Sequence, residues 1–329
     1  MSKLKLSFAC WDYDRTRALL DGSIEPDGID LNYLKLPVEE TFFRMLRNRE
    51  FDVAEMSLSS YTVSLFKDSQ FIAIPVFPSR FFRHSSIYVN ADSGIKEPRD
   101  LIGKRIGNPE YQMTALVWIR GVLADEYGIP VNSVTYVTGG EEEPNRSEKL
   151  ALDLPADIRL ERIGPTQTLS AMLASGEIDA LYTARMPSSM ATSGGRIKRL
   201  FEDYLPVEQD YYRRTGIFPI MHTVVLRREL YEQNRWIAQS LYKAFCQAQR
   251  KIYDDLSQTA ALTVMLPWLI AHVEGTQRQM GDDFWPYGID SNRHTLATFL
   301  RYSFEQGLSK RQLQPEQLFA PETLESFKI

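Results

Sequence analysis

Several short stretches of this 329-residue chain carry side chains that can move a proton or hold an anion. Trp11-Asp12-Tyr13-Asp14-Arg15 offers aromatic surface with two carboxylates, although Asp12 or Asp14 would serve equally as a helix N-cap beside a packed Trp11. Glu55 closes an apolar segment, where a lone charge is costly. It is therefore expected to be paired, or to carry a proton at a raised pKa. Ser57 and Ser59 follow it and could receive a carboxylate at a helix N-terminus, or simply cap that helix. Arg80-Phe81-Phe82-Arg83-His84 sets two guanidiniums and an imidazole beside two aromatic rings; the plainer alternative is a salt bridge among packed aromatics. In Asn108-Pro109-Glu110-Tyr111-Gln112-Met113-Thr114, free N–H groups before a helix suit an anion, Tyr111 and Gln112 can hydrogen-bond hydroxyls, and Glu110 can act as a base. Thr114 could contact a ligand or be an N-cap. Thr183-Ala184-Arg185 and Phe218-Pro219-Ile220-Met221-His222 complete the set. Two of only four histidines, His84 and His222, fall in these stretches, and histidine titrates near neutral pH. A single His on an apolar strand is otherwise a satisfied core residue.

The surrounding pattern says what must position them. Leu4, Leu6 and Phe8 alternate, which predicts a strand over 3–9. Strands are expected at 29–34 and 51–56, with helices at 16–21 and 39–48, a βαβ rhythm implying a largely parallel sheet. Further strands are expected at 104–107, 134–137, 178–183 and 219–226. Helices are expected over 114–127, 167–174, 236–253, 256–270 and 295–306. Glu141-Glu142-Glu143 reads as a solvated loop. One unit recurs: Met45-Leu46-Arg47-Asn48-Arg49-Glu50-Phe51-Asp52-Val53 is echoed by Met172-Leu173-Ala174-Ser175-Gly176-Glu177-Ile178-Asp179-Ala180, 127 positions on. Each copy ends a helix, turns tightly and enters a buried strand, which suggests two lobes built alike.

Composition narrows the classes. Apolar residues make up 43% and charged residues 25%, ordinary for a globular chain of two domains. A net charge of −5 with scattered basic residues argues against nucleic-acid binding. Cys10 and Cys246 form no CxxC pair and are expected as reduced thiols. The apolar start breaks at Trp11-Asp12, too early for a secretory segment. The longest apolar stretch, 261–273, contains Pro267 and is too short to span a membrane. A cytoplasmic protein is expected, with no membrane partner. There is no GxGxxG after a strand, no GxxxxGK[ST] and no HExxH.

Asp100-Leu101-Ile102-Gly103-Lys104-Arg105-Ile106-Gly107, the segment 173–180 and the double return of the chain resemble the type II periplasmic-binding-protein fold. The segments 51–60 and 107–114, Phe284-Trp285-Pro286-Tyr287-Gly288-Ile289, and Tyr302-Ser303-Phe304-Glu305-Gln306-Gly307-Leu308-Ser309 are similar to the 4,5-dihydroxyphthalate decarboxylase family across the whole chain. The resemblance implies an α/β protein of two lobes, 1–88 with 219–329 and 89–218, each a mixed sheet flanked by helices. It also implies two crossing strands near 82–89 and 217–225, a helical C-terminal tail and a ligand in the interlobe cleft. The implied activity is that of a carboxy-lyase in aromatic-acid (phthalate) degradation: loss of one carboxylate from 4,5-dihydroxyphthalate to give protocatechuate, without redox change and with no organic cofactor.

Such a reaction needs an acid for the ring carbon, a base for a phenol and a cation for the retained carboxylate. On this reading His222, His84, Glu55 and Asp12 are the catalytic candidates. Arg185 clamps the carboxylate. Arg83, Arg80, Trp11, Tyr13, Ser57, Ser59, Phe82, Tyr111, Gln112, Thr114 and Phe218 are expected to line the substrate. In a strand, Phe82 and His84 would share a face. A divalent metal held by the histidines with Glu55 or Asp12 stays an alternative, and a homo-oligomer is compatible. The competing function is a cytoplasmic solute-binding or sensing protein, or the binding component of a transporter, for a small aromatic or carboxylate anion.

Overall fold

The computed structural model describes residues 2–67 and 70–325. Its strands are β1 (Leu4–Cys10), β2 (Ile29–Lys35), β3 (Val53–Ser57), β4 (Phe71–Arg80), β5 (Ile87–Asn90), β6 (Arg105–Asn108), β7 (Thr135–Thr138), β8 (Arg159–Arg162), β9 (Ala180–Tyr182), β10 (Ile197–Arg199) and β11 (Ile220–Arg227). They form two sheets, one ordered β2-β1-β3-β11-β4 and the other β10-β5-β9-β6-β7-β8. Two compact units follow. The first comprises Met1–Arg80, His222–Leu296 and Gln314–Ile329, and the second Phe81–Met221 and Ala297–Leu313.

In the first unit β1 pairs in parallel with β2 and β3, and β3 pairs antiparallel with β11. The alternation at Leu4, Leu6 and Phe8 buries Leu6 and Phe8, as expected of a half-covered strand. All five residues of β3 are buried, so an ionisable side chain there must find its partners inside the protein. The helix Val38–Asn48 precedes it and ends on Arg49 in the left-handed conformation (φ 52°). Asp52 then accepts hydrogen bonds from the Ser7 N–H and hydroxyl, both at 2.8 Å, and so ties the turn to β1.

The second unit repeats this grammar. β6 pairs in parallel with β7 and β9, and β9 pairs antiparallel with β5. The helix Leu169–Ser175 ends on Gly176 (φ 83°), and Asp179 accepts the Arg105 N–H at 2.9 Å. The outermost strand, β8, is exposed and charged, which guards an open edge against further pairing.

The unit boundaries depart from the sequence expectation. Residues 81–88, 219–221 and 297–313 group with the second unit rather than the first. Packing explains it. Trp118 meets the rings of Phe299 and Tyr302 at 5.6 Å, and Arg120 Nε donates to Gln306 Oε1 at 2.7 Å. Gly121 lets Tyr302 approach so closely that a Cβ there would lie 2.1 Å from its ring. The expected strand near 82–89 is also shorter: residues 84–86 form a 3₁₀ turn and β5 starts at Ile87, so strand alternation does not govern Phe82 and His84. The expected helix over 256–270 is absent. The helix Trp236–Leu256 stops, residues 257–268 are irregular, and a new helix runs Leu269–Met280. Pro267, which lacks an N–H and disfavours helix before it, lies in the gap. Among the described residues no helix is long and apolar enough to cross a membrane.

Candidate active site

Glu55 is the centre of a polar cluster inside the first unit. Its side chain is fully buried. The carboxylate accepts from the Tyr13 hydroxyl at 2.6 Å and the Trp11 N–H at 3.1 Å, lies 2.6 Å from His222 Nδ1, and has the Cys10 thiol at 3.4 Å. These partners come from the end of β1, the loop after it, and β11. In the ladder His222 pairs with Ser57 and Val224 with Glu55, so His222 reaches Glu55 as a diagonal neighbour on one sheet face. Phe42, from the helix Val38–Asn48, closes that face with its ring edge-on to the imidazole at 4.9 Å.

Burial by itself would raise the Glu55 pKa. The charge and hydrogen bond of His222, with the Tyr13 and Trp11 donors, outweigh it and hold the carboxyl below its usual range. Burial first, then the Glu55 charge, drives the Tyr13 phenol far up, so Tyr13 stays a donor. Its ring is fixed by Arg15, whose guanidinium lies 4.3 Å from the Tyr13 centroid and 4.4 Å from that of Trp285. Tyr33 donates to the Trp11 carbonyl at 2.8 Å and holds the loop. The cluster thus presents an imidazole whose Nδ1 is engaged by an ionised, fully hydrogen-bonded carboxylate. The ring keeps 16% of its surface exposed, which leaves Nε2 as the atom able to meet a reacting group.

Other sequence candidates are placed elsewhere. Asp12 is half-buried and forms ion pairs with Arg17 and Lys35 at 3.3 and 3.4 Å, outside the Glu55 cluster. Ser57 caps the helix Leu58–Ser64 by accepting the Ser60 N–H, and Ser59 is buried in its first turn. Arg80 donates to the Pro286 carbonyl at 2.7 Å and to Asn292, and lies over Phe77, all within the first unit's own packing. The Trp11 side chain is 43% exposed.

His84 belongs to the second unit and is a core histidine there. It sits between Phe201 and Tyr211 with ring centroids at 5.4 and 5.3 Å. Burial, and then Arg214, lower its pKa to about 4, so at neutral pH it is uncharged and a poor acid. Arg83 is buried beside it, donating to the Ala184 carbonyl and Ser86 Oγ at 3.4 Å; burial lowers its pKa to about 10. Phe82 stacks on Phe218 at 4.7 Å. Tyr111 is scaffold: its hydroxyl donates to the Gln306 carbonyl at 3.1 Å and Arg120 lies 3.9 Å from its centroid. Glu110, a possible base from sequence, is committed to a buried triad with Arg146 (2.6 Å) and Lys149. Thr114 opens the helix Thr114–Tyr127, whose N-cap is Met113, so of its two readings the N-cap one does not hold. Gln112 is fully buried, and neither its amide oxygen nor its nitrogen has a hydrogen-bond partner among the described residues. Arg185 is exposed just beyond β9, its N–H donating to Thr183 Oγ1 at 3.2 Å.

Glu141 was expected in solvent and is instead half-buried. It accepts from Thr183 Oγ1, and burial raises its pKa to about 7. The turn that returns it is tight, because a Cβ on Gly140 would lie 1.5 Å from the Glu143 carbonyl oxygen. The Gly139-Gly140 pair was the available sequence signal for that turn. Among the described residues no group of three or more His, Cys, Asp and Glu side chains is placed to hold a metal ion.

Comparison with known proteins gives two sequence relatives and many fold relatives. The chain is 46% identical over 330 residues to the 4,5-dihydroxyphthalate decarboxylase of Comamonas testosteroni, covering all of both chains. It is 47% identical over 214 residues to that of Pseudomonas putida, covering 65% of this chain and 83% of the other. The periplasmic aliphatic sulphonate binding protein SsuA of Escherichia coli superposes with a TM-score of 0.54 at 14% identity, over 98% and 99% of the two chains. The alkanesulfonate-binding protein SsuA of Xanthomonas axonopodis pv. citri, bound to MOPS, gives 0.53 at 14% identity, over 97% and 99%. At that identity the likeness establishes the fold alone, the type II periplasmic-binding-protein fold. No family model matches the chain.

Proposed function

The chain belongs to the 4,5-dihydroxyphthalate decarboxylase family, and from that premise we propose that it converts 4,5-dihydroxyphthalate to protocatechuate and CO2, with His222 as the proton-transfer residue. The observation that carries the assignment within the site is the 2.6 Å contact of His222 Nδ1 with the buried Glu55 carboxylate. It fixes the ring's orientation and leaves Nε2 for chemistry, the arrangement a general acid–base needs.

In the proposed step, a proton adds to the ring carbon that bears the departing carboxylate, while the para hydroxyl supplies electrons and gives up its own proton. The bond to the carboxylate then breaks, its electron pair restores the aromatic ring, and CO2 leaves. The phenolate regains a proton. One proton is consumed overall and no electrons are transferred, so neither nicotinamide nor flavin is required. We assign no cofactor. Glu55 and Tyr13 act through His222 as positioning residues, and Arg185, exposed at the end of β9, is the proposed clamp for the retained carboxylate.

The test incubates the full chain with 4,5-dihydroxyphthalate and follows CO2 and protocatechuate, with and without a chelator. Equimolar products at a rate the chelator does not change are expected. Tight binding without turnover would overturn the enzyme reading in favour of a solute-binding protein. Loss of activity to chelator with recovery on adding a divalent metal would overturn the cofactor assignment.

A further inference from the structure

The proposed reaction needs a group to take the proton of the hydroxyl para to the departing carboxylate. The carboxylates singled out from sequence leave that place open. Glu55 is committed to His222, Tyr13 and Trp11, Asp12 to Arg17 and Lys35, and Glu110 to Arg146 and Lys149. His84 is packed between two aromatic rings.

The second unit holds a carboxyl of a different kind. β9, β6 and β7 lie side by side and run parallel, and ligands of open α/β sheets sit outside the carboxyl ends of such strands. The loop leaving β7 reaches the segment after β9, and four hydrogen bonds pin it. The Leu169 N–H donates to the Gly140 carbonyl at 2.9 Å and the Ser170 N–H to the Glu141 carbonyl at 3.0 Å. The Ser188 N–H and hydroxyl donate to the Glu142 carboxylate at 2.7 and 2.6 Å. Glu141 is thereby held at the end of β9. Its Oε2 accepts from the Thr183 hydroxyl, while its Oε1 is buried with no hydrogen-bond partner among the described residues. The same Thr183 oxygen accepts the Arg185 N–H at 3.2 Å, so one hydroxyl ties the acid to the segment that carries the proposed carboxylate clamp. The charged and titratable groups acting with it are Glu142 on its own loop, Arg185, Arg146 and the Tyr88 phenol of β5. Burial outweighs the Thr183 hydrogen bond and the two guanidiniums and lifts the carboxyl to about 7, where it can take and return a proton at neutral pH.

We propose that Glu141 is the base for the phenol: its carboxylate takes the proton of the para hydroxyl as the ring carbon is protonated, and returns it to the phenolate once CO2 has left. This role rests on the decarboxylase reading. The O–H bond broken on the substrate becomes an O–H bond on Glu141 and is restored at the end, and no electrons are exchanged. The substrate hydroxyl is also the donor that Oε1 lacks. The shape of the substrate agrees. The hydroxyl para to the departing carboxylate is meta to the retained one, so clamp and base belong on the same edge of the ring, and Arg185 and Glu141 are joined through Thr183.

The test is the pH dependence of kcat/KM on 4,5-dihydroxyphthalate for the full chain and its Glu141 variants. The parent should lose activity as pH falls through about 7, because the base must be ionised. Glu141→Gln should lower kcat by about 100-fold and abolish that acidic limb, and Glu141→Asp should restore part of the rate together with the limb. Glu141→Ala should recover rate on addition of formate, with saturation, which a residue that merely fastens the loop would not do. A parent profile flat through pH 7, a Glu141→Gln protein with the parent's kcat, or one whose slower rate keeps the parent's acidic limb would each overturn the role of Glu141 and leave the decarboxylase reading standing. A parent without turnover would overturn that reading itself, and this role with it.

Discussion

β3 of the first unit and β9 of the second are built on one plan and end in different chemistry. Each follows a helix that stops on a left-handed residue, Arg49 or Gly176, 127 positions apart. Each is tied by an aspartate to the backbone of a parallel neighbour, Asp52 to Ser7 and Asp179 to Arg105. The registers coincide, with Phe8 opposite Val53 and Ile106 opposite Ala180. Even the antiparallel neighbours correspond: Leu226 and Val225 face Val53 and Ala54, as Val89 and Tyr88 face Ala180 and Leu181. On that common frame the position of Glu55 is taken by Tyr182, whose phenol burial keeps neutral. The first unit thus spends its strand end on an ionised carboxylate and an imidazole. The second ends its strand on Thr183 and the exposed cation Arg185. The difference teaches that the frame only sets the places. Whether a buried carboxylate–imidazole pair or an exposed guanidinium stands there is decided by the few side chains at and just beyond the strand ends.

The largest expected effect breaks this comparison at its catalytic end. His222→Ala, and less severely Glu55→Gln, should lower kcat by about 10²–10⁴ with little change in KM. At the other end, Arg185→Ala should mainly raise KM, by roughly 10–100-fold, the loss of a charge-assisted hydrogen bond. Steady-state kinetics on 4,5-dihydroxyphthalate separates the two patterns, and a kcat defect in the Arg185 variant with unaltered KM would reverse the assigned roles.

The next contrast lies in acid sensitivity. His84 is held near 4 in the folded second unit, against 6.5 for an unperturbed histidine. Between those values the unfolded chain takes up a proton that the folded chain refuses. Stability is therefore whole above about pH 6.5 and falls by roughly 3 kcal/mol as pH drops towards 4. Glu55 of the first unit is also lowered, from 4.5, so its contribution is present above that value and is lost only as pH falls through its folded pKa. His84→Phe should flatten the urea-unfolding stability between pH 6.5 and 4, whereas Tyr13→Phe, which removes a donor that holds the Glu55 carboxyl down, should lower stability across that range and change its pH slope only below it. Equal slopes in the parent and the His84 variant would show that its burial is not coupled to folding.

The smallest effect sharpens the echo itself. Gly176→Ala should destabilise by about 1 kcal/mol, the cost of a Cβ at positive φ. Arg49→Gly should stabilise by less than that, since it relieves the same strain at the cost of a freer unfolded chain. Thermal melts of both variants check the pair, and shifts of one sign would show that the two turns are not equivalent.

Much of this frame was legible in residue order. Period-two alternation marks β1, the echo marks two like units, and a lone glutamate closing an apolar segment demands partners. The candidate site was legible only in part. Tyr13, Glu55 and His222 were each candidates from local pattern, yet so were Asp12 and His84, which lie outside the cluster. The acidic run 141–143 carried a local signature of solvent, which Glu142 and Glu143 keep, while the turn at Gly140 draws Glu141 partly inward. The tip at 262–268 has the composition of a core and stands outside it.

The sequence by itself determined many of the strands (β1, β2, β3, β6, β7, β9 and β11, but not β4, β8 or β10), the helix stop at Gly128, and the requirement that a buried Glu55 be satisfied, because these follow from local sterics, periodicity and the cost of an unpaired charge. Only the tertiary structure decided who satisfies it. Glu55 meets Tyr13 across 42 positions and His222 across 167, through the neighbouring places of β1, β3 and β11 in one sheet. Alternation fixes which face a side chain takes, but not which distant strand will lie beside it, and that adjacency separates the carboxylate-paired His222 from the aromatic-packed His84.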